Sequence, residues 1–363
     1  METTRFIEWL KDRQLFHVAR NKYSVFQKVL TGCLGLRREK LLIIGDMGYA
    51  NKRISPLMTA CYYLAAKELK MDAEVAIQNP KKSGEAADDF IADALFRLEP
   101  CNAVVVCASE KIGNLKQIGK SFRSFCKKND HRFVSTVSLG YLDTKKIDSI
   151  ISAIDIDYAK QKEKDDNIMR ILEQGKKLKV RTDKGTDLTM DIGGVPVSSA
   201  DGDYRQPGTG GNIPAGEVYL PPRKVNGTVM VDASSRSGFG TKLPKEPIMI
   251  KIKDSRITDI EGGIEAGYLR RSFEFAEARA KYPERVRIIG EMGIGLNQKA
   301  RIIGSTIVDE KVINTAHIAV GSNYWFGGDV RTIIHYDQIF NNPRLYVDGK
   351  ELKINAHGWG SIE

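Results

Sequence analysis

Four short apolar runs alternate with longer helical stretches between residues 40 and 138, and no other feature constrains the fold as strongly. The runs are KLLIIGD, AEVAIQ, NAVVVCAS and RFVSTVS, at residues 40–46, 73–78, 102–109 and 132–138. A helical opening at 3–30 precedes them, and helical periodicity separates them at 54–69, 85–98 and 115–127. Strands that alternate with helices in this way build a parallel sheet covered by helices. The sequence therefore predicts a Rossmann-like, three-layer α/β domain.

The pattern changes in the second half of the chain. A charged helix at residues 155–174 is followed, from residue 178 onward, by short strands and glycine-rich turns, with 263–281 as the best later helix and 234–242 as a loop. A chain of 363 residues suits two domains at roughly 100 to 200 residues each. We therefore expect a Rossmann-like domain at 1–175 and an α+β domain, rich in strands and turns, at 176–363.

Composition and cysteine use indicate a cytoplasmic protein. No stretch of about 18 apolar residues is present to cross a bilayer, and the first thirty residues lack the basic-then-apolar order of a secretory signal. The five cysteines all precede residue 127 and form no C-x-x-C pair. We expect buried, reduced thiols, although Cys101 and Cys107 could instead form a redox or metal pair.

The net charge of +10 lies mainly in the first half of the chain. Residues 1–150 contain 25 Lys and Arg against 17 Asp and Glu, whereas residues 151–363 contain 31 against 29. Nucleic-acid binding would use such an excess, but the lysines are scattered without interleaved aromatic residues, which favours a solvated surface. The loop Gly45-Asp46-Met47-Gly48 lacks the G-x-G-x-x-G pattern of a dinucleotide site, so we expect no nucleotide there.

Acids and histidines with metal-ligand chemistry gather in the second domain. In RTIIHYDQIF, strand geometry places His335 and Asp337 on one face, where both can reach one cation. His317 leads an apolar strand that ends at a glycine-flanked aromatic loop. Glu291 follows another apolar strand, and Glu217 lies within a rigid stretch rich in proline and glycine. Each residue alone is more often structural, as a salt-bridged acid or a hydrogen-bonded histidine. Together they supply ligands for a pair of divalent ions, which would activate water for hydrolysis near neutral pH.

These segments resemble the thermophilic-type metalloaminopeptidases of family M29. Four blocks carry the resemblance in order over residues 178–350: TDLTMDIGG with GNIPAGEVYLPP, IMIKIKDSRITDIEGG, IGEMGIGLNQKA, and HIAVGSNYWFGGDVRTIIHYDQIFNNPRLYVDG. The resemblance implies a leucyl-aminopeptidase-like hydrolase that removes N-terminal residues from peptides with two Zn, Co or Mn ions, and it also implies a homodimer. It assigns the metal ligands as Glu217, Glu291, His317, His335 and Asp337. Glu291 would double as general base, and the hydroxyl of Tyr324 would stabilise the oxyanion.

The same resemblance leaves two alternatives open. The superfamily includes 2,5-dihydroxypyridine dioxygenase, and His317, His335 and Asp337 match the two-histidine, one-carboxylate set of non-haem Fe(II) oxygenases. In that case Glu217 and Glu291 would be outer-shell or substrate-binding groups. The other alternative is a non-catalytic relative that kept the fold. The aminopeptidase is the main expectation, because five ligand-type residues exceed what one iron ion requires.

Overall fold

The computed structural model describes residues 3–82, 84–118 and 121–363. Its α-helices are α1 Thr3–Asp12, α2 Leu15–Lys22, α3 Ser24–Lys28, α4 Ile54–Glu68, α5 Asp89–Arg97, α6 Phe122–Lys128, α7 Ile147–Ile154, α8 Tyr158–Gln174, α9 Ile264–Glu277 and α10 Thr306–Asp309. Its strands are β1 Leu41–Asp46, β2 Ala73–Gln78, β3 Ala103–Cys107, β4 Arg132–Thr136, β5 Lys177–Arg181, β6 Asp187–Asp191, β7 Ser198–Ser199, β8 Gly210–Asn212, β9 Glu217–Leu220, β10 Arg223–Val231, β11 Ser234–Ser237, β12 Gly240–Lys242, β13 Ile248–Lys253, β14 Arg256–Glu261, β15 Ile289–Gly295, β16 Thr315–Gly321, β17 His335–Asn341, β18 Arg344–Val347, β19 Lys350–Ile354 and β20 Gly360–Ile362.

Contacts between residues divide the chain into two compact units. The first comprises residues 1–159 together with 202–215, and the second comprises 160–201 together with 216–363. Each unit is therefore formed by two separate stretches of the chain. The domain boundary that we expect from the sequence, between residues 175 and 176, stays a prediction.

The first unit contains the parallel sheet that the alternation predicts. Its strand order is β2-β1-β3-β4-β8, and all four pairings are parallel. Strands β1 and β3 are buried along their whole length, as expected for central strands covered on both faces by helices. The mixed fold, with this parallel sheet followed by antiparallel ones, confirms the predicted fold class. The fifth strand, β8, comes from the inserted segment at 202–215 and has no counterpart among the predicted strands.

Two predictions for the first unit need correction. The helical opening at 3–30 is broken, because Gln14 adopts a left-handed conformation with φ of 58° between α1 and α2. The predicted helix at 115–127 is replaced by a short 3-10 turn at Lys116–Ile118 and by α6, although residues 119 and 120 lie outside the described part of the chain. Helix α6 begins late because the Ser121 side chain caps it by accepting a hydrogen bond from the Ser124 amide.

The burial of the cysteines differs from the expectation at one position. Four cysteines are buried, but Cys101 is exposed in a turn before β3, so the prediction of a buried thiol is wrong there. Cys101 has a φ of 63°, which is typical of a tight turn.

Among residues 3–82, 84–118 and 121–363, no helix has both the length and the apolar character that crossing a bilayer requires.

The second unit is built on two antiparallel sheets. One has eight strands in the order β14-β13-β10-β6-β5-β18-β19-β20, and the other has seven in the order β12-β11-β17-β16-β15-β9-β7. In β13, buried isoleucines alternate with more exposed residues, which is the pattern of a sheet with one solvated face. Apolar residues of both sheets and of α9, such as Phe273, share one core. The stretch 234–242, expected as a loop, instead forms a hairpin in which β11 pairs with β12.

Candidate metal centre

The five residues expected as metal ligands lie on four neighbouring strands of the seven-stranded sheet. Strand β9 supplies Glu217, β15 supplies Glu291, β16 supplies His317, and β17 supplies both His335 and Asp337. These strands are adjacent in the order β17-β16-β15-β9. We refer to the five residues as the ligand cluster.

The register of the strands puts the whole ligand cluster on one face of the sheet. Residues that pair directly in an antiparallel ladder have their side chains on the same face, and so do residues two positions apart on one strand. The relevant pairs are Glu291↔Ala319, Ala319↔Asp337, Gly293↔His317 and Gly295↔Glu217. The small partners Gly293, Gly295 and Ala319 leave room between the larger polar side chains. The local chain geometry therefore brings acids and imidazoles from separate stretches of sequence to one place.

Four of the five side chains lie at distances suited to a shared ion. Nε2 of His317 lies 3.1 Å from Oε1 of Glu291, and Nε2 of His335 lies 3.5 Å from Oε2 of the same residue. Nε2 of His335 also lies 3.2 Å from Oδ1 of Asp337. Ligand atoms bonded to one ion at about 2.1 Å are roughly 3 to 3.5 Å apart. Glu291, His317 and Asp337 are buried and have ligand atoms within 4.8 Å of one another. Glu217 is more distant, with Oε2 4.0 Å from Nε2 of His317.

The hydrogen bonds of these residues fit a metal ion. Nδ1 of His335 lies 2.8 Å from the carbonyl oxygen of Ser322, and donating its proton there leaves Nε2 as the free lone pair. Oε2 of Glu217 is buried and has no hydrogen-bond partner among the described residues. A buried carboxylate oxygen without a partner is costly, and a bound cation would satisfy it. The donor set of two imidazoles and several carboxylates suits a first-row divalent metal.

Two glycines make this packing possible. A Cβ atom at Gly293 would lie 2.2 Å from Cε1 of His317, so only glycine allows the imidazole to lie across β15. A Cβ atom at Gly295 would lie 2.1 Å from the carbonyl oxygen of Val312. That second close approach lets the turn after α10 cross the strand, and this turn brings Lys311 to the ligand cluster.

Lys311 is a functional candidate that the sequence reasoning missed. Its side chain is 1% exposed, and its Nζ lies 2.5 Å from both Oε1 of Glu217 and Oε1 of Glu310. Burial lowers the pKa of Lys311, but the charges of Glu217 and Glu310 outweigh burial and raise it above its usual value. Lys311 is therefore a buried ammonium ion beside the candidate metal ligands. Its only local sequence feature is the charged run Asp309-Glu310-Lys311, and such a run is typical of a solvated turn.

The carboxylates hold both histidines protonated when no metal is bound. Burial lowers the pKa of His317, but the hydrogen bond and charge of Glu291 outweigh it and raise the pKa to about 9. Burial opposes protonation of His335 in the same way, and the charge of Asp337 raises its pKa to about 10. Burial raises the pKa of Asp337, yet the charge of His335 dominates and lowers it to about 2.

Metal affinity is expected to rise steeply with pH. At pH 7 to 8, His317 and His335 carry protons that must leave before Nε2 can bind an ion, since their pKa values are about 9 and 10. Release of two protons would strengthen binding by up to about a hundredfold per pH unit. Calorimetric titration of the metal-free protein with Mn²⁺, in buffers of different ionisation enthalpy, measures the released protons. Affinity that stays constant from pH 6.5 to 8.5 would contradict this expectation.

The aromatic loop between β16 and β17 borders the cluster. The ring of Trp325 packs edge-on to the ring of His335, with centroids 5.0 Å apart, and its side chain is about half exposed. Tyr324 is equally exposed, and its ring contacts Trp325 and the guanidinium of Arg331. The expected role of the Tyr324 hydroxyl on an oxyanion stays a prediction.

Comparison with known proteins gives one family and one curated relative. The family model described as "NicX: 2,5-dihydroxypyridine 5,6-dioxygenase" matches residues 156–357. A 2,5-dihydroxypyridine 5,6-dioxygenase of Pseudomonas putida KT2440 is 26% identical over 191 residues, which are 50% of this chain and 53% of the relative. The matched part thus spans about half the length of that relative.

Two solved structures are similar over almost the whole chain. The 2,5-dihydroxypyridine dioxygenase from Pseudomonas putida KT2440 has a TM-score of 0.71 at 19% identity, covering 94% of this chain and 97% of that one. Wild-type AmpT from Thermus thermophilus has a TM-score of 0.62 at 14% identity, covering 94% and 99%. At these identities the likeness establishes a shared fold.

Proposed function

The chain belongs to the NicX family of 2,5-dihydroxypyridine 5,6-dioxygenases, and on this premise we propose that it is an Fe(II)-dependent dioxygenase that opens a dihydroxylated pyridine ring. The observation that carries the proposal is the convergence of two histidine Nε2 atoms and a carboxylate on one face of the sheet. The family match favours this function, which the sequence offered as the alternative, over the aminopeptidase expected first. Membership of family M29 has no such support.

His317, His335 and Asp337 would hold the iron. They form the two-histidine, one-carboxylate set that non-haem Fe(II) oxygenases use. When bound, iron in such a site supplies the redox chemistry that lets an aromatic ring react with O₂. The strands fix the three side chains, and the Ser322 carbonyl oxygen accepts a hydrogen bond from Nδ1 of His335 and so orients its ring.

Glu291 would handle a proton of the substrate. Its two carboxylate oxygens lie 3.1 Å and 3.5 Å from the Nε2 atoms of His317 and His335. A ring hydroxyl that binds beside these atoms comes within hydrogen-bond reach of the Glu291 carboxylate, which can accept its proton. Loss of that proton makes the ring more electron-rich, which favours its oxidation.

The test of the proposal is oxygen uptake by the full chain. Metal-free protein is loaded with Fe²⁺ without air and mixed with 2,5-dihydroxypyridine in an oxygen electrode. We expect one O₂ to be consumed for each ring that disappears from the ultraviolet spectrum, and no uptake by protein loaded with Zn²⁺. If no dihydroxypyridine consumes oxygen while aminoacyl anilides are hydrolysed with Zn²⁺, Co²⁺ or Mn²⁺, the proposal is wrong.

An aminopeptidase remains the second candidate because of Glu217. Its free Oε2 adds a further carboxylate oxygen to the donor set, and a two-metal hydrolase needs such an additional ligand. The AmpT structure shares the fold, which is compatible with this candidate. The anilide assay above tests it directly.

Trp325 is expected to contribute to substrate binding. Its half-exposed ring lies against His335, where it can stack on a planar ring held at the metal. Losing about 1.4 kcal/mol of such contact in Trp325→Ala would raise KM about tenfold and change kcat little. Initial rates of oxygen uptake against substrate concentration measure this. Trp325→Phe should restore most of the loss, and Trp359→Ala, at an exposed tryptophan near the C-terminus, should have no effect. An unchanged KM in Trp325→Ala would contradict the role.

A further inference from the structure

Lys311 pairs with the carboxylate that a second metal ion would need as a ligand. Its Nζ contacts Oε1 of Glu217, and the other oxygen of that carboxylate faces Nε2 of His317 at 4.0 Å. Glu217 therefore lies between Lys311 and the other four residues of the ligand cluster. A second ion held by Glu217 would need a bond of about 2 Å to one of its oxygens, and the ammonium already occupies Oε1, which leaves Oε2 alone.

The ammonium ion is fixed in this place by its surroundings. Lys311 is fully buried and pairs with both Glu217 and Glu310, so a move would leave an unpaired charge in the protein interior. Its backbone is fixed as well, because the carbonyl oxygen of Lys311 accepts a hydrogen bond from the Asn297 amide at 2.8 Å.

We propose that the ammonium group of Lys311 takes the place of a second metal ion and restricts the ligand cluster to one divalent ion. A divalent ion beside Glu217 would lie within about 5 Å of Nζ, and two like charges at that distance repel strongly in a buried site. Glu217, together with Glu310, then pairs with Lys311 instead of completing a two-metal centre. This inference rests on the metal centre of the proposed function and explains how a cluster with five ligand-type residues serves a reaction that needs one iron.

The test counts bound ions and needs no substrate. Full-length protein, stripped of metal by a chelator, is dialysed against Mn²⁺, and the ions per chain are measured by elemental analysis and by electron paramagnetic resonance. We expect a single ion in the wild type and a second ion in Lys311→Met, with the exchange-coupled signal of a Mn²⁺ pair. Lys311→Arg, which keeps the charge, should bind one, and so should Lys350→Met, which changes an exposed lysine of the same unit.

Two outcomes would overturn the inference. One is a wild type that binds two ions with similar affinity, and another is a folded Lys311→Met that still binds only one. If Lys311→Met does not fold, as judged by circular dichroism, Lys311→Gln decides the matter in the same way, because its amide can still donate to Glu217 or Glu310. The oxygen assay is a separate test. If the protein binds one ion but does not cleave the ring, the proposed function is wrong and the role of Lys311 is unaffected.

Discussion

Replacing His335 with alanine is expected to abolish iron binding and to lower the rate of ring cleavage by about three orders of magnitude. Nε2 of His335 lies 3.2 Å from Oδ1 of Asp337 and 3.5 Å from Oε2 of Glu291, so it separates two carboxylates that would otherwise face each other. Removing it deletes a ligand and increases the repulsion between the acids. Iron content by elemental analysis and oxygen uptake measure the two effects.

His357→Ala is the matched control for this substitution. His357 is an exposed histidine of the same unit, and it lies outside the ligand cluster. It should keep the iron content and the turnover of the wild type. Because about a quarter of the His335 side chain is exposed, His335→Ala should also fold. A folded His335→Ala that keeps one iron per chain and a rate within tenfold of the wild type would show that this histidine does not bind the metal.

The first unit was predictable because its signals are local. A central parallel strand is buried on both faces, so β1 and β3 appear in the sequence as continuous apolar runs. The errors in the predicted helices occur where a single residue changes the local backbone conformation. The left-handed conformation of Gln14 and the capping side chain of Ser121 interrupt stretches whose hydrophobic period continues through them. The hairpin at 234–242 was missed because its pairing with β17 is set by residues a hundred positions away.

The candidate site was predictable to the extent that strand geometry and the family resemblance allowed. The alternation of a strand puts His335 and Asp337 on one face, and this follows from the sequence alone. That Glu291 and His317 lie on the same face depends on the register of β15 with β16, which includes a bulge between Ile289 and Glu291. No local pattern specifies such a register.

Lys311 shows what local patterns leave out. A lysine that follows an aspartate and a glutamate has the sequence of a solvated turn. Its burial depends on the glycine at 295, which lets the turn approach β15, and on Glu217, which arrives from β9. The resemblance counted five ligand-type residues and therefore favoured two metal ions, whereas a buried cation in the structure already neutralises one of them. On our proposal, the number of metal ions depends on a residue outside the recognised motifs.

Substituting Gly293 by alanine is expected to weaken iron binding by about a hundredfold without removing a ligand. The new Cβ atom would lie 2.2 Å from Cε1 and 2.3 Å from Nε2 of His317, and real Cβ contacts are essentially never shorter than 3.0 Å. His317 is fully buried, so its ring can move only by disturbing its neighbours. We therefore expect the ring to turn away from Glu291, with a loss of about 1 to 3 kcal/mol in the free energy of unfolding.

The control for Gly293→Ala is the same substitution at Gly267 in α9, where an added Cβ atom meets no heavy atom within 4 Å. That change should leave iron affinity unaltered and stabilise the helix by about 0.5 to 1 kcal/mol. Iron titration and thermal unfolding of both variants separate an effect on the imidazole from a general effect of alanine. If Gly293→Ala binds iron and turns over substrate as the wild type does, iron binding does not depend on the observed position of His317, and this prediction is wrong.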